Sequence, residues 1–139
     1  MMSLYNLNAP GHNILHSSYA VSAMITLRAA LASRGNPVAQ AWLQSGGPNP
    51  CTWPKVLCSP MGNVTNVDAG CPPGSFMSRG PLPESLANLV DLEGLNISGN
   101  LITGKLPFSW TALTALTSLD ASHNQFSGTV PGKKQLTTR

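Results

Sequence analysis

Residues 89–108 and 113–132 carry one pattern twice, at an offset of 24. Leu89 falls on Leu113, Leu92 on Leu116, Leu95 on Leu119, Asn100 on Asn124, Gly104 on Gly128 and Pro107 on Pro131. Between these identities Ile97 faces Ala121, Ile102 faces Phe126 and Leu106 faces Val130, so apolar positions stay apolar where identity is lost. Such a period means that each unit is one supersecondary element that buries its apolar face only against its neighbours.

The pattern, L-x-x-L-x-apolar-x-x-N-x-apolar-x-G-x-apolar-P, resembles the leucine-rich repeat whose coils hold a short parallel strand followed by a 3₁₀ or irregular segment. The fold class it implies is α/β, a short solenoid with a helical N-terminal cap. Side chains alternate along a strand, so Leu95 and Leu119 point into the coil while Asn96 and Asp120 point out on the concave side. Asn100 and Asn124 follow the strands at the turn, where an amide offers both donor and acceptor to unpaired backbone groups. Stacked coils then form an asparagine ladder, with Gly104 and Gly128 at a bend and Pro107 and Pro131 on the convex side. One period back, Gly80, Leu82 and Pro83 fall under Gly104, Leu106 and Pro107, and Val64–Ala69 reads as the matching strand. Val67 to Leu82 is 15 residues against 11 for Leu95 to Leu106, so this first coil carries four extra residues, placed around Gly70–Gly74 as an exposed loop.

Composition narrows the function classes. Only 9% of the 139 residues are charged, so the wetted surface is largely Ser, Thr, Asn, Gln and Gly. The net charge of +3 is spread out, with one basic cluster at Lys133, Lys134 and Arg139. That cluster has no interleaved aromatic platforms, which argues against nucleic acid as a partner. No run approaches the roughly 18 apolar residues of a membrane span. Residues 1–23 lack a basic start and an unbroken apolar stretch, so they do not read as a secretory leader.

Cys51-Thr-Trp-Pro-Lys-Val-Leu-Cys58, preceded by Trp42-Leu43 and followed by Val64-Thr-Asn-Val-Asp68, is similar to the N-terminal cap of plant-type leucine-rich repeat proteins. That cap usually has Gly where Lys55 stands. The resemblance covers residues 22–136, and Val130–Thr138 is similar to the stretch closing the last coil in receptor-like members, although no cysteine-bearing C-terminal cap follows. It implies a disulfide between Cys51 and Cys58. A metal pair completed by His12 and His16 is the rival arrangement, disfavoured because the Cys spacing is wider than the usual zinc gap. No metal or cofactor is expected. Cys71 is left over: an intermolecular link or liability in an oxidising compartment, and bland in a reducing one.

Apolar Ala23, Leu27, Ala30 and Leu31 are spaced for a helix over 22–33 that ends at Gly35-Asn36-Pro37, with a second short helix at 38–43. Trp42 and Trp53 then close the open end of the solenoid. The predicted organisation is a flexible segment 1–21, a cap 22–63, about three coils over 64–132 and a basic tail 133–139.

Ser122, His123 and Asp120 are too close along one strand to align as nucleophile, base and orienter, and no phosphate-cradling glycine motif or catalytic carboxylate pair is visible. The chain is therefore not read as an enzyme. With strands at 66–70, 94–98 and 118–122, the outward columns are Asn66, Gly94, Ser118; Asp68, Asn96, Asp120; and Gly70, Ser98, Ser122. The candidate ligand-binding residues are Asp68, Asn96, Ser98, Asp120, Ser122 and His123. The sequons Asn63-Val-Thr65 and Asn96-Ile-Ser98 are candidate glycosylation sites, and a glycan on Asn96 would sit in the binding strip. The resemblance implies a non-catalytic recognition module of a receptor-like protein at the cell surface, binding a protein or peptide, with a co-receptor or larger receptor chain as further partner. A secreted inhibitor or wall-associated protein, and a cytoplasmic scaffold, are the alternatives.

Overall fold

The computed structural model describes residues 14–45, 47–72, 75, 77 and 79–127. Two helices, α1 (Ile14–Ser33) and α2 (Pro37–Ser45), precede strands β1 (Val56–Cys58), β2 (Val64–Asp68), β3 (Gly94–Asn96), β4 (Thr103–Lys105), β5 (Ser118–Asp120) and β6 (Gln125–Ser127). The concave sheet has the order β1-β2-β3-β5, and a second sheet pairs β4 with β6. No described helix is long and apolar enough to cross a membrane.

The 24-residue period is realised directly: β3 and β5 are parallel, with Leu95 opposite Leu119 and Asn96 opposite Asp120. Leu89, Leu92, Leu95, Ile97, Leu113, Leu116, Leu119 and Ala121 are all buried. Between β2 and β3 the partners are Asn66 and Gly94, an offset of 28, so the first coil is four residues longer. Gly80 pairs with Ile102, which confines the surplus to the stretch between Asp68 and Gly80. Residues 73 and 74 of the expected loop lie outside the described residues; Pro72 is exposed and Cys71 is a buried free thiol. The second sheet runs at an offset of 22, Thr103 opposite Gln125. A shift of two residues leaves every side chain on its face, because the strand period is two. On the convex side Pro83 and Pro107 introduce 3₁₀ turns at Glu84–Asn88 and Phe108–Ala112, with Leu86 and Trp110 buried at equivalent positions. Gly104 adopts φ +84°, as a bend there requires, whereas Gly128, Val130, Pro131 and the tail 133–139 lie outside the described residues.

β3 and β5 are shorter than the expected 94–98 and 118–122, and β2 runs over 64–68 in place of 66–70, because turn geometry begins at once after Asp68, Asn96 and Asp120. Ladder bonds still continue past them, Ala69 N–H to Asn96 O, Cys71 N–H to Ser98 O, Ile97 N–H to Asp120 O and Gly99 N–H to Ser122 O. Helix α1 begins at Ile14, eight residues before the expected start, so residues 14–21 belong to the cap and not to a flexible segment. Ala23, Met24, Leu27 and Leu31 are the buried stripe of this helix, and the preceding turns extend it because each residue fixed there gains one backbone hydrogen bond. At its other end Gly35, at φ +102°, donates to Ala32 O and Asn36 N–H donates to Leu31 O, the Schellman arrangement.

Asn36 starts the next helix and the ladder together. Its Oδ1 accepts from Ala39 N–H, capping α2 behind Pro37. Its Nδ2 donates to Ala69 O at 2.8 Å and to Asn100 Oδ1. Asn100 Nδ2 bonds Ala69 O, Ile97 O and Ser98 O, and Asn124 Nδ2 bonds Ile97 O, Ala121 O and Ser122 O. Asn124 Oδ1 accepts from Asn100 N–H and Ile102 N–H. The first coil supplies no asparagine, and Asn36 from the cap takes that rung.

The lid is formed by Trp42 and Trp53, stacked with ring centroids 5.5 Å apart, each buried. Their indole N–H groups donate to Pro54 O and Gly47 O, and the Arg28 guanidinium lies 4.6 Å from the Trp53 ring centroid. Arg34 donates to Pro81 O across the joint with the first coil, and burial lowers its pKa below the ordinary value. Cys51 and Cys58 are joined, with Cα atoms 5.7 Å apart, which removes them from the metal alternative; His12 lies outside the described residues. Lys55, where the family has Gly, adopts φ +65°.

Replacing Asn36 by Ala leaves the α2 N-terminus and Asn100 Oδ1 unpaired, and is expected to cost about 2–4 kcal/mol in urea unfolding. Asn36→Ser keeps the cap bond and should recover about 1 kcal/mol of that. Lys55→Gly removes a left-handed cost of about 1–2 kcal/mol against an entropic penalty of about 0.5–1 kcal/mol, so a small net gain in thermal stability is expected.

Candidate functional site

The concave face is a grid of two rows crossing four strands. Antiparallel pairing sets Leu57 opposite Asn66, and parallel pairing continues that row through Gly94 to Ser118. Asp68 N–H donates to Lys55 O, so the second row runs Lys55, Asp68, Asn96, Asp120. These eight residues line a shallow groove of about 470 Å³, with Val67 and Leu95 also reaching its wall.

The second row is fixed by one repeated device. The Asp68 Oδ1 accepts from Gly70 N–H at 3.2 Å, Asn96 Oδ1 from Ser98 N–H at 2.9 Å and Asp120 Oδ1 from Ser122 N–H at 3.0 Å. Each strand thus ends in an Asx turn closed by its own groove-lining side chain. The upper row has a gap at Gly94, where a Cβ would overlap Asn66 Oδ1, so glycine is needed for close approach. Leu57 closes the cap end of that row and is 62% exposed.

Of the six residues expected to contact a ligand, Asp68, Asn96 and Asp120 come together in the groove. Ser98 is half-buried past the end of β3 and His123 is exposed in a left-handed turn at φ +56°; neither lines the groove. Ser122 is a correction: it is only 6% exposed, because its hydroxyl turns back to donate to Asp120 Oδ1. The same bond commits that hydroxyl to the carboxylate and away from His123 as a base. Lys55 and Leu57 were missed. The segment Val56-Leu57-Cys58 stands within the cap motif, yet its in-out-in alternation is the signal of a strand, and β1 makes it the fourth strand of the sheet.

A second cavity of about 420 Å³ lies at the disulfide, walled by Ala20 and Val21 of α1 and by Pro48, Pro50, Met61 and Asn63. Asn63, the first sequon, stands half-buried at its wall. The second sequon's Asn96 packs its amide against Gly70, where an added Cβ would lie 2.9 Å from Nδ2.

Comparison with known proteins agrees with this geometry. Residues 18–59 match the leucine rich repeat N-terminal domain, and residues 91–113 and 115–133 match the leucine rich repeat. Receptor-like protein kinase 7 of Arabidopsis thaliana is 30% identical over 120 residues, 83% of this chain and 12% of that protein. Phytosulfokine receptor 1 of Arabidopsis thaliana is 44% identical over 98 residues, 68% of this chain and 9% of that protein. Among solved structures, the Arabidopsis receptor kinase HAESA in complex with the peptide hormone IDA and the co-receptor SERK1 aligns with TM-score 0.59 and 28% identity, covering 86% of this chain and 19% of that one. PEPR1–AtPEP1, at TM-score 0.63 and 22% identity over 86% of this chain and 17% of that one, shares the fold. The chain spans about an eighth or less of the length of these curated relatives. With cap, coils and ladder all in place, the chain belongs to the plant-type leucine-rich repeat proteins, and the relatives it matches are plant receptors and receptor-like kinases.

Proposed function

We propose that the chain is a non-catalytic recognition module, the cap-proximal part of a receptor-like ectodomain, that binds a protein or peptide on its concave face. The observation that carries this reading is the four-strand grid: polar and small side chains held at fixed spacing around a groove, over a fully buried interior. Asp68, Asn96 and Asp120 are the contact residues, with Ser98 and His123 past the strand ends. The HAESA structure supports it, since a related solenoid there holds a peptide hormone and a co-receptor. An extracellular or cell-surface setting follows from the Cys51–Cys58 disulfide and from that kinship.

Ser118 is exposed at one end of the groove and Asn88 is exposed on the convex side. Oxidised protein mixed with extracellular fluid of plant tissue is expected to retain a peptide or protein that the Asn88→Arg variant also retains and Ser118→Arg does not. Equal retention by both variants would sink the concave-face reading. A glycan on Asn96 would cover the groove, whereas Asn63 faces the cap cavity. Protein secreted from plant cells should therefore carry glycan at Asn63 and a bare Asn96, read by mass spectrometry before and after glycosidase treatment.

A further inference from the structure

We infer that the groove selects an extended peptide segment bearing an apolar side chain two residues from a Lys or Arg. This rests on the peptide-binding reading above and names the chemistry of its ligand. The chain carries a net charge of +3 with only five acids, yet two of those five, Asp68 and Asp120, face this groove against the single Lys55. The groove is thus an acidic spot on a basic protein, complementary to a cation.

Position follows from the grid. Asp68 is the exposed carboxylate of the row, whereas Asp120 is half-buried and holds Ser122; a basic side chain is therefore placed over Asp68, approaching from the Asn96 side, away from Lys55 on the neighbouring strand. Leu57, 62% exposed, is the large apolar side chain at the cap end of the neighbouring row. It lies one strand across and two residues along from Asp68, about 8 Å by strand geometry. In an extended peptide, side chains two residues apart point the same way about 7 Å apart. One apolar side chain on Leu57 and one basic side chain on Asp68 therefore fit a single strand-like segment. Four strands span about 14 Å, which an extended segment of four or five residues crosses.

Two substitutions separate the parts. Asp68→Asn removes the charge and keeps the oxygen that accepts from Gly70 N–H, as Asn96 does one coil on. Leu57→Ser alters an exposed side chain. The oxidised 139-residue protein, immobilised, is used to select from a phage-displayed library of random linear decapeptides. Peptides with Lys or Arg two positions from Leu, Ile, Val, Met or Phe should be enriched at least fivefold over the input. Asp68→Asn should abolish the basic preference, and Leu57→Ser should abolish the apolar preference while leaving the basic one. Enrichment of acidic peptides, or enrichment unchanged by both substitutions, would overturn the selectivity while leaving a peptide-binding module. No enrichment of any peptide would overturn the selectivity and the peptide-binding reading together.

Discussion

A buried amide line holds the solenoid in register. Each concave strand ends in a turn whose carbonyls face the interior, and a buried carbonyl without a donor costs about 1–3 kcal/mol. Asn124 donates to Ile97 O of the preceding coil, and Asn100 and Asn36 both reach Ala69 O. Since one Nδ2 serves its own turn and its neighbour's carbonyl, a coil cannot tilt or slip without unpairing both. The leucine interior is non-directional and supplies the driving force, while the amides set the stacking. The line must also begin somewhere, and it begins in the cap. Through it the helices and the coils share one hydrogen-bonded line, and Asn36, a helix cap by position, is structurally a repeat residue.

The cap is also part of the binding face. The disulfide closes a ring of residues 51–58, and within that ring Lys55 turns the chain in a left-handed conformation and β1 runs out along β2. Chain-entropy reasoning gives such a ring about 2.5 kcal/mol. What the ring holds is therefore the edge of the concave sheet, with Leu57 turned outward to the groove. A strand pinned at both ends by sulfur and by pairing with β2 presents its outward side chain with little freedom left to lose on binding.

Much of this was legible in the residues. The identities at offset 24 located the interior, the ladder asparagines and the four-residue surplus, because burial and period two leave a readable imprint on each coil. Leu95 over Leu119 and the column Asp68, Asn96, Asp120 came out at the expected register. Other features left a weaker imprint. The start of α1 was hidden because Ser18 and Tyr19 are exposed and carry no stripe. The role of Asn36 depends on a contact across 64 residues, and no local pattern announces it. Ser122 alternates outward as a strand residue should, yet its hydroxyl folds back to Asp120; alternation fixes the direction of Cβ and not the partner a hydroxyl finds. Lys55 departs from the glycine usual at its position, and its φ of +65° supplies the physical meaning of that preference.

The Asx turns explain how one face can serve both folding and recognition. At each strand end the turn requires a single acceptor oxygen two residues before the N–H it caps, and Asp and Asn supply it equally well. What differs between them is the second atom: an anionic oxygen in Asp68 and Asp120, an amide donor in Asn96. Exchange between the two types changes the charge of the row by one while leaving the turn, the strand register and the interior as they were. The turn also holds the side chain in one rotamer before a ligand arrives, which lowers the ordering cost of a polar contact. A solenoid built this way can vary the charge of its concave face coil by coil without renegotiating its fold, and the sequence Lys55, Asp68, Asn96, Asp120 is one setting of that row.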